Sequence, residues 1–256
     1  MSLTSFLLKF AAPLPDLMAF QHYLFIGPHP DDIEIGAGAT ISKLVSMGKN
    51  VSFLICLDGR FGLDFAPPGT TPDALAQIRK KESLQAASSL GVTDVHFLEL
   101  SDGGLYQKED LLRNMAQAIG RISPDILFAP DPCVTSECHA DHLNVGDCAR
   151  NLAFFAPFPE IMAHYDASPA AVDAIAFYMT AKPNRYVKTS GYLDRQFTAI
   201  LSHESQFPKD SDAFRSVRTY LKLRSVDFGL RSFKGHAEGF RVLGRTQMHC
   251  LPEAGK

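Results

Sequence analysis

Tyr23-Leu24-Phe25-Ile26-Gly27-Pro28-His29-Pro30-Asp31-Asp32-Ile33-Glu34 is the stretch from which the rest of the chain is read. Its first four residues form an unbroken apolar run, the pattern of a strand covered on both faces in a parallel sheet. An imidazole and two adjacent carboxylates follow where that strand should end. Charge placed against a core is costly unless it is paired or holds an ion. His29, Asp31 and Asp32 therefore predict an ion site at the carboxyl end of a core strand. A second polar cluster, His139-Ala140-Asp141-His142, comes after another apolar run, Ile126-Leu127-Phe128-Ala129. Ligands of open α/β sheets collect in the crevice beyond the strand ends, so the two clusters are expected to face each other.

Outward from these corners, strand and helix patterns alternate. Gly36–Met47 reads as a helix, with Ile41, Leu44 and Val45 at helical spacing and Gly48 as its stop. Val51–Leu57 reads as a strand, Pro72–Leu90 as an amphipathic helix stopped by Gly91, and Val95–Leu98 as a third strand. Lys108–Arg121 is a predicted helix, Ile126–Ala129 a fourth strand and His142–Phe154 a further helix. The pattern predicts an α/β fold: a Rossmann-like, mainly parallel sheet with helices on both faces. Beyond Phe155 the pattern loosens. Ala174–Met179 and Tyr186–Thr189 read as strands and Gly191–Ser205 as a helix, within an irregular C-terminal cap region. Residues 1–256 are expected to form a single domain, with 1–20 as an N-terminal extension and about 155–256 as the cap and C-terminal part.

The chain has 256 residues, 46% hydrophobic and 21% charged, enough for one substantial core. A formal net charge of −3 makes no case for nucleic acid or an anionic membrane surface. The local basic stretches, Arg79-Lys80-Lys81 and Arg215 to Arg231, read as solvated helix faces. No stretch reaches the length of a membrane-spanning helix. The five cysteines are odd in number and scattered, without a Cys-x-x-Cys pair, which points to reduced thiols and a cytoplasmic setting. Cys133 and Cys138 flank the second cluster, but the His and Asp residues already supply enough ligands. The segment before Phe20 lacks a basic start, and Lys9, Pro13 and Pro15 interrupt it, so it is not expected to be a leader. Its apolar character suits packing on the domain or on a neighbouring subunit, and a homo-oligomer is compatible with it.

His29 and Asp32 lie three apart, as do His139 and His142. Residues at that spacing share a face on a helical turn, so each pair is placed to aim two side chains at one centre. Two imidazoles, one carboxylate and an open position describe a catalytic zinc site, whereas a structural site closes its coordination. Such a cation acidifies its water and polarises a carbonyl. Asp31, diverging from Asp32, is free to take a proton. The His of the second cluster that is not a ligand is free to serve an oxyanion or a leaving amine, with Asp141 orienting it. Blander readings stand beside this one. Asp31 or Asp32 can serve as a helix cap, and Gly36-Ala37-Gly38 does not complete a dinucleotide-binding glycine pattern.

Taken together, the motifs resemble the LmbE-like, or PIG-L-like, family of zinc-dependent N-deacetylases acting on N-acetylated amino sugars. Pro28-His29-Pro30-Asp31-Asp32 with Gly36-Ala37-Gly38 is similar to the family's opening motif, and His139-Ala140-Asp141-His142 to its second. The resemblance continues through Cys56-Leu57-Asp58-Gly59, Arg79-x-x-Glu82, Asp102, His203-x-Ser205-Gln206 and Ala237-Glu238-Gly239-Phe240. It implies Zn2+ bound by His29, Asp32 and His142, with other divalent first-row metals compatible. It also implies Asp31 as general base and His139 as the oxyanion or acid residue. Arg79 and Asp102 match positions that hold sugar hydroxyls, and Asp58 and His203 are further candidates for substrate contact. The implied activity is a metal-dependent hydrolase of a linear amide C–N bond that takes a small amino-sugar substrate. Ile33, Ala37, Ala39 and Ala140 depart from the family pattern without removing a ligand or the base. Two alternatives remain at this point: a metal-dependent amidohydrolase of a non-sugar acylated amine, and a non-catalytic sugar-binding protein.

Overall fold

The computed structural model describes residues 7, 8, 10–249 and 251; the first six residues of the N-terminal extension, Lys9 and Cys250 lie outside the described residues. Its elements are β1 (His22–Gly27), α1 (Asp32–Ser46), β2 (Asn50–Leu57), α2 (Pro72–Leu90), β3 (Asp94–Leu100), α3 (Lys108–Ile122) and β4 (Ile126–Pro130). Then come α4 (Ala140–Phe155), α5 (Pro159–His164), β5 (Ala174–Tyr178), β6 (Arg185–Lys188), α6 (Leu193–Leu201), α7 (Asp212–Ser232) and β7 (Ala237–Gly244). The strands form one seven-stranded sheet in the order β3-β2-β1-β4-β5-β7-β6. The β1–β2, β2–β3, β1–β4 and β4–β5 pairs are parallel, while β7 runs antiparallel to both of its neighbours. The second half is thus more regular than expected: β5, β6 and β7 extend the sheet itself. The basic stretch around Arg215 to Arg231 lies within a single long helix, α7.

Two apolar layers cover the sheet. On one face Ile33, Ala37, Ile41 and Leu44 of α1 and Ala86, Ala87 and Leu90 of α2 pack against Tyr23, Phe25, Phe53 and Phe128. On the other, Leu111, Met115 and Ile119 of α3 and Val145, Ala149 and Leu152 of α4 pack against Leu24, Ile26, Leu54 and Leu127. Alternate residues of β1 serve opposite layers, which explains its continuous apolar run. The strand order reverses at β1, between β2 on one side and β4 on the other. The carboxyl ends of β1 and β4 therefore border one crevice, the favoured ligand position of this architecture.

α1 begins at Asp32, four residues before the predicted start. Asp32 and Glu34 in its first turn complement the helix dipole, and the early start moves Asp32 onto the helix. Gly36 is required by a close approach: a Cβ there would lie 2.3 Å from the ring of Tyr178. Among the described residues, no helix is long and apolar enough to cross a membrane. Cys56, Cys133, Cys138 and Cys148 are free thiols.

Candidate metal and active site

The first corner is the turn from β1 into α1. Asp31 adopts φ 115° and ψ −28°, a left-handed conformation that costs a non-glycine residue about 1–3 kcal/mol. Hydrogen bonds hold the turn in place. The His29 amide donates to Asp32 Oδ2 at 2.8 Å, and the Ile35 amide to the Asp31 carbonyl at 3.0 Å. Arg79 reaches in from α2, donating through Nη2 to the Pro30 carbonyl at 2.6 Å and to Asp31 Oδ2 at 3.1 Å. Its Nη1 donates to the Gly59 carbonyl at 2.9 Å. Gly59 permits this approach, since a Cβ there would lie 2.4 Å from Nη1.

The second corner is the entry into α4. His139 is its N-cap, accepting from the Asp141 amide through Nδ1 at 3.4 Å. Asp141, in the first turn, points inward. Its Oδ2 accepts from the Gly103 amide at 2.8 Å and its Oδ1 from the Gly104 amide at 2.9 Å. The same Oδ2 lies 3.0 Å from His29 Nε2. This corrects the expectation that Asp141 orients His139, whose Nδ1 is 3.8 Å from that oxygen and whose side chain is 48% exposed. The cap position turns His139 outward, while the next residue but one faces the core.

The two corners meet. Ligand atoms of His29, Asp32 and His142 all lie within 4.8 Å of one another. His29 Nδ1 is 3.1 Å from Asp32 Oδ2, and His142 Nε2 is 3.5 Å from Asp32 Oδ1. A tetrahedral cation with the usual bond lengths sets its ligands about 3.4 Å apart, so the spacing fits. Each imidazole also has a carboxylate behind it: Asp141 at His29 Nε2, and Glu137 Oε2 at 3.0 Å from His142 Nδ1. Such partners leave the other ring nitrogen free to ligate. Two imidazole nitrogens and a carboxylate oxygen suit zinc and other first-row divalent ions. A second grouping, His29, His139 and Asp141, is equally compact, but the oxygens of Asp141 already hold two backbone amides.

The local field follows from these contacts. Burial works against a charged His29 ring, but Asp141 and Asp32 outweigh it and hold its pKa near 10. His142 is held up to about 9 by Asp32 and Glu137, again against burial. Burial also opposes charge on Asp141, yet His29 and the Gly103 and Gly104 amides keep its pKa at about 2. Asp31 moves the other way: burial lifts its pKa to about 6, although Arg79 pulls it down. Partial burial, with His29 and His142 beside it, lowers the pKa of His139. A carboxyl lifted towards neutrality beside a cation site is suited to proton transfer.

The four expected substrate contacts fare differently. Arg79 is only 5% exposed and backs Asp31 from inside. His203 is fully buried, with Nε2 3.5 Å from Glu34 Oε1, and lines no surface. Its motif acts as a strut: Ser205 donates to Glu82 through both N and Oγ at 2.7 Å, and Gln206 Nε2 donates to the Gly62 carbonyl at 2.7 Å. Asp58 is engaged by Arg60 at 2.6 Å beside a cavity of about 350 Å³ that Pro30 also lines. Asp102 is buried, accepts from the Phe61 amide at 3.4 Å, and keeps Oδ1 without a hydrogen-bond partner. A smaller cavity of about 80 Å³ opens at the cation corner, lined by Asp32, His142, Glu137, Asp131, Tyr178 and Met179. Sequence reasoning passed over Glu137 and Asp131. Glu137 stands two residues before His139, and that proximity was the available signal. Asp131 is held by Arg241 from β7, a pairing no local pattern displays.

Comparison with known proteins places these observations. Residues 24–153 match the family described as PIG-L: GlcNAc-PI de-N-acetylase. A diacetylchitobiose deacetylase of Thermococcus kodakarensis is 33% identical over 236 residues, covering 90% of this chain and 86% of that protein. A probable N-acetyl-alpha-D-glucosaminyl L-malate deacetylase of Bacillus cereus is 29% identical, covering 73% of this chain and 84% of that one. Among solved structures, the N,N'-diacetylchitobiose deacetylase of Pyrococcus horikoshii, complexed with an inhibitor, superposes with a TM-score of 0.85 at 28% identity, over 98% of this chain and 97% of that one.

Proposed function

This chain belongs to the PIG-L de-N-acetylase family, and from that premise we propose that it removes the acetyl group from an N-acetylated amino sugar of N-acetylglucosamine type, or from a glycoconjugate carrying one. The observation that carries this reading is the convergence of His29, Asp32 and His142 beside Asp31. His29, Asp32 and His142 would hold Zn2+ or a similar divalent ion. Such an ion would polarise the acetamide carbonyl and make water more acidic. Asp31, its carboxyl lifted towards neutrality and fixed by Arg79, takes a proton from water as the oxygen attacks the carbonyl carbon. His139, on the exposed side, donates a hydrogen bond to the developing oxyanion or relays a proton to the departing nitrogen, the proton that Asp31 took from water being the one delivered there. The C–N bond breaks, and acetate and the free amine leave. Asp141 and Glu137 keep the His29 and His142 rings in orientation throughout. Asp102, with its unpartnered oxygen near the Gly103-Gly104 turn, is the strongest candidate for gripping a sugar hydroxyl. The free thiols suit a cytoplasmic setting.

The test is acetate release from N-acetylglucosamine, N,N'-diacetylchitobiose and N-acetylglucosaminyl conjugates, with and without chelator. Asp31→Asn should bind metal as the wild type does yet lose about 10²–10⁴-fold in kcat, the usual contribution of a positioned acid or base. Full activity in the chelated enzyme, or in Asp31→Asn, excludes the mechanism. Turnover of non-sugar acylated amines alone transfers it to another substrate class.

A further inference from the structure

Met179, one residue past β5, holds φ 51°, a left-handed conformation that long side chains avoid. Its neighbours fix it there. The Tyr178 carbonyl accepts from the Asp131 amide at 3.1 Å. The Thr180 carbonyl accepts from Arg224 Nη2 at 2.8 Å, and Arg224 Nη1 lies 3.9 Å from Met179 Sδ. Backbone strain held in place by its surroundings clusters where a ligand is gripped. Met179 lines the cavity of about 80 Å³ at the cation corner, together with the apolar Ile35, Val134 and Tyr178. Two carboxylates also line it, and both are already satisfied. Asp131 accepts from Arg241, Thr180 and the Cys133 amide, and Glu137 from the His139 amide and the His142 ring. What the cavity offers a ligand is therefore apolar surface.

We infer that this cavity is an acyl pocket with Met179 as its adjustable wall, and that the chain hydrolyses N-propionyl and N-butyryl amino sugars as well as N-acetyl ones. The inference rests on the deacetylation reading above and extends it from acetyl to short acyl chains. Position is the first argument. The cavity meets the corner through Asp32 and His142, whereas Asp102 adjoins it from the His29 side, through Gly103 and Asp141. An amide is planar and trans, so its acyl carbon and the carbon on its nitrogen point apart. A sugar held at Asp102 thus sends its acyl chain towards Met179. Size is the second. One water-sized group takes about 10–15 Å³ of such space, and a methyl is only slightly larger, so there is room for roughly two further carbons. The unbranched thioether of methionine repacks around chains of different length. The reaction itself is unchanged. The oxygen of water bonds to the carbonyl carbon and the C–N bond breaks. The acyl chain leaves as its carboxylic acid, which ionises, and the amine leaves with the proton taken from water.

The experiment compares kcat/KM for N-acetyl-, N-propionyl- and N-butyrylglucosamine with the Zn2+-loaded full chain, glucosamine being the common product. Both longer substrates should stay within about ten-fold of the acetyl one. A pocket closed around a methyl rejects one extra methylene by about 10–200-fold. A fall steeper than about ten-fold at either chain therefore overturns the proposal, while acetyl turnover leaves the deacetylation reading standing. Turnover of none of the three overturns both. Two variants move the wall in opposite directions. Val134→Phe should lower the butyryl-to-acetyl ratio about ten-fold, and Met179→Ala should raise the ratio for a longer N-hexanoyl substrate by a similar factor. Each ratio is read on one preparation, so loss of folded protein cancels. Ratios that neither variant moves overturn the proposal. Calorimetric titration of the loaded protein with acetate and butyrate adds a readout without turnover. Butyrate should bind more tightly, by up to about four-fold per buried methylene, and equal or weaker binding overturns the pocket.

Discussion

Asp141 shows how much one buried carboxylate organises. It terminates two backbone amides of the Gly103-Gly104 turn and accepts from His29 Nε2, so one side chain joins β1, the loop after β3 and α4. Asparagine at this place keeps the shape but brings an NH2 where an acceptor is needed. Whichever way the amide is turned, a donor faces a donor, either the Gly104 amide or the His29 ring. Asp141→Asn should therefore bind Zn2+ about 10–100-fold more weakly, the usual effect of removing a carboxylate behind a ligating histidine. It should also lose about 1–3 kcal/mol of stability, the cost of a buried donor left unsatisfied. Competition against a chromophoric chelator reads the first effect and urea unfolding the second. Unchanged zinc affinity would remove Asp141 from the support of the site. The same scale exposes what a residue pattern cannot tell. Arg79, Asp102 and His203 all stood out as chemistry-bearing residues, and all three belong to the site's neighbourhood. Burial alone does not sort them, since all three are buried; Arg79 is committed to the Gly59, Pro30 and Asp31 oxygens and His203 packs beside Glu34, holding the corner from behind.

Among the elements, legibility followed burial. β1, β2 and β4 are covered on both faces, so their apolar runs were unambiguous, and the clusters at their ends followed by position. β7 was not foreseen as a strand because Glu238 and Arg241 interrupt it. Both are partnered in ways set by the assembled fold: Glu238 by the Ala39 and Thr40 amides of α1, and Arg241 by Asp131. The charges of α7 suggested a solvated face, and they drew attention away from the apolar Leu223, Val226 and Leu230 exposed on the same helix. α1 began earlier than expected because its first turn is built from the site residues themselves. The α1–β5 contact supplies the prediction for this scale. Tyr178 packs its ring where a Cβ of Gly36 would stand and donates to the Ile26 carbonyl at 2.8 Å. Alanine at 36 would gain up to about 1 kcal/mol of helix propensity, but overpacking a fully buried ring costs about 1–3 kcal/mol. Gly36→Ala should be destabilised overall by urea unfolding, and its KM should rise because Tyr178 also lines the cation-side cavity. Equal or greater stability would mean that the ring yields freely.

Across the whole molecule, Glu238 links the late-sequence half to the helix that carries Asp32. Its carboxylate accepts from the Ala39 amide at 3.2 Å and the Thr40 amide at 2.7 Å, and the neighbouring charge is Arg224 on α7. Gln196 of α6 reinforces the same region of α1, donating to the Glu34 and Ile35 carbonyls at 2.9 and 3.2 Å. Burial raises the Glu238 pKa to about 7, although the Thr40 and Ala39 contacts and Arg224 all favour the charged form. In the unfolded chain the group titrates near its ordinary value of 4.5. Between those two values the folded state binds more protons than the unfolded one, so this group makes stability fall as pH rises. Its contribution is complete below about pH 4.5, declines by up to about 1.4 kcal/mol per pH unit, and is spent above about pH 7. Other groups titrate in the same range, so the useful quantity is the difference between wild type and Glu238→Gln, which cannot lose the proton. That difference should move in favour of the variant between pH 5.5 and pH 8, by at most about 2 kcal/mol. Urea unfolding of both proteins across that interval measures it. A difference that stays constant with pH would show that the Ala39 and Thr40 amides compensate the buried charge in full, and that α1 is held against β7 equally well on both sides of neutrality.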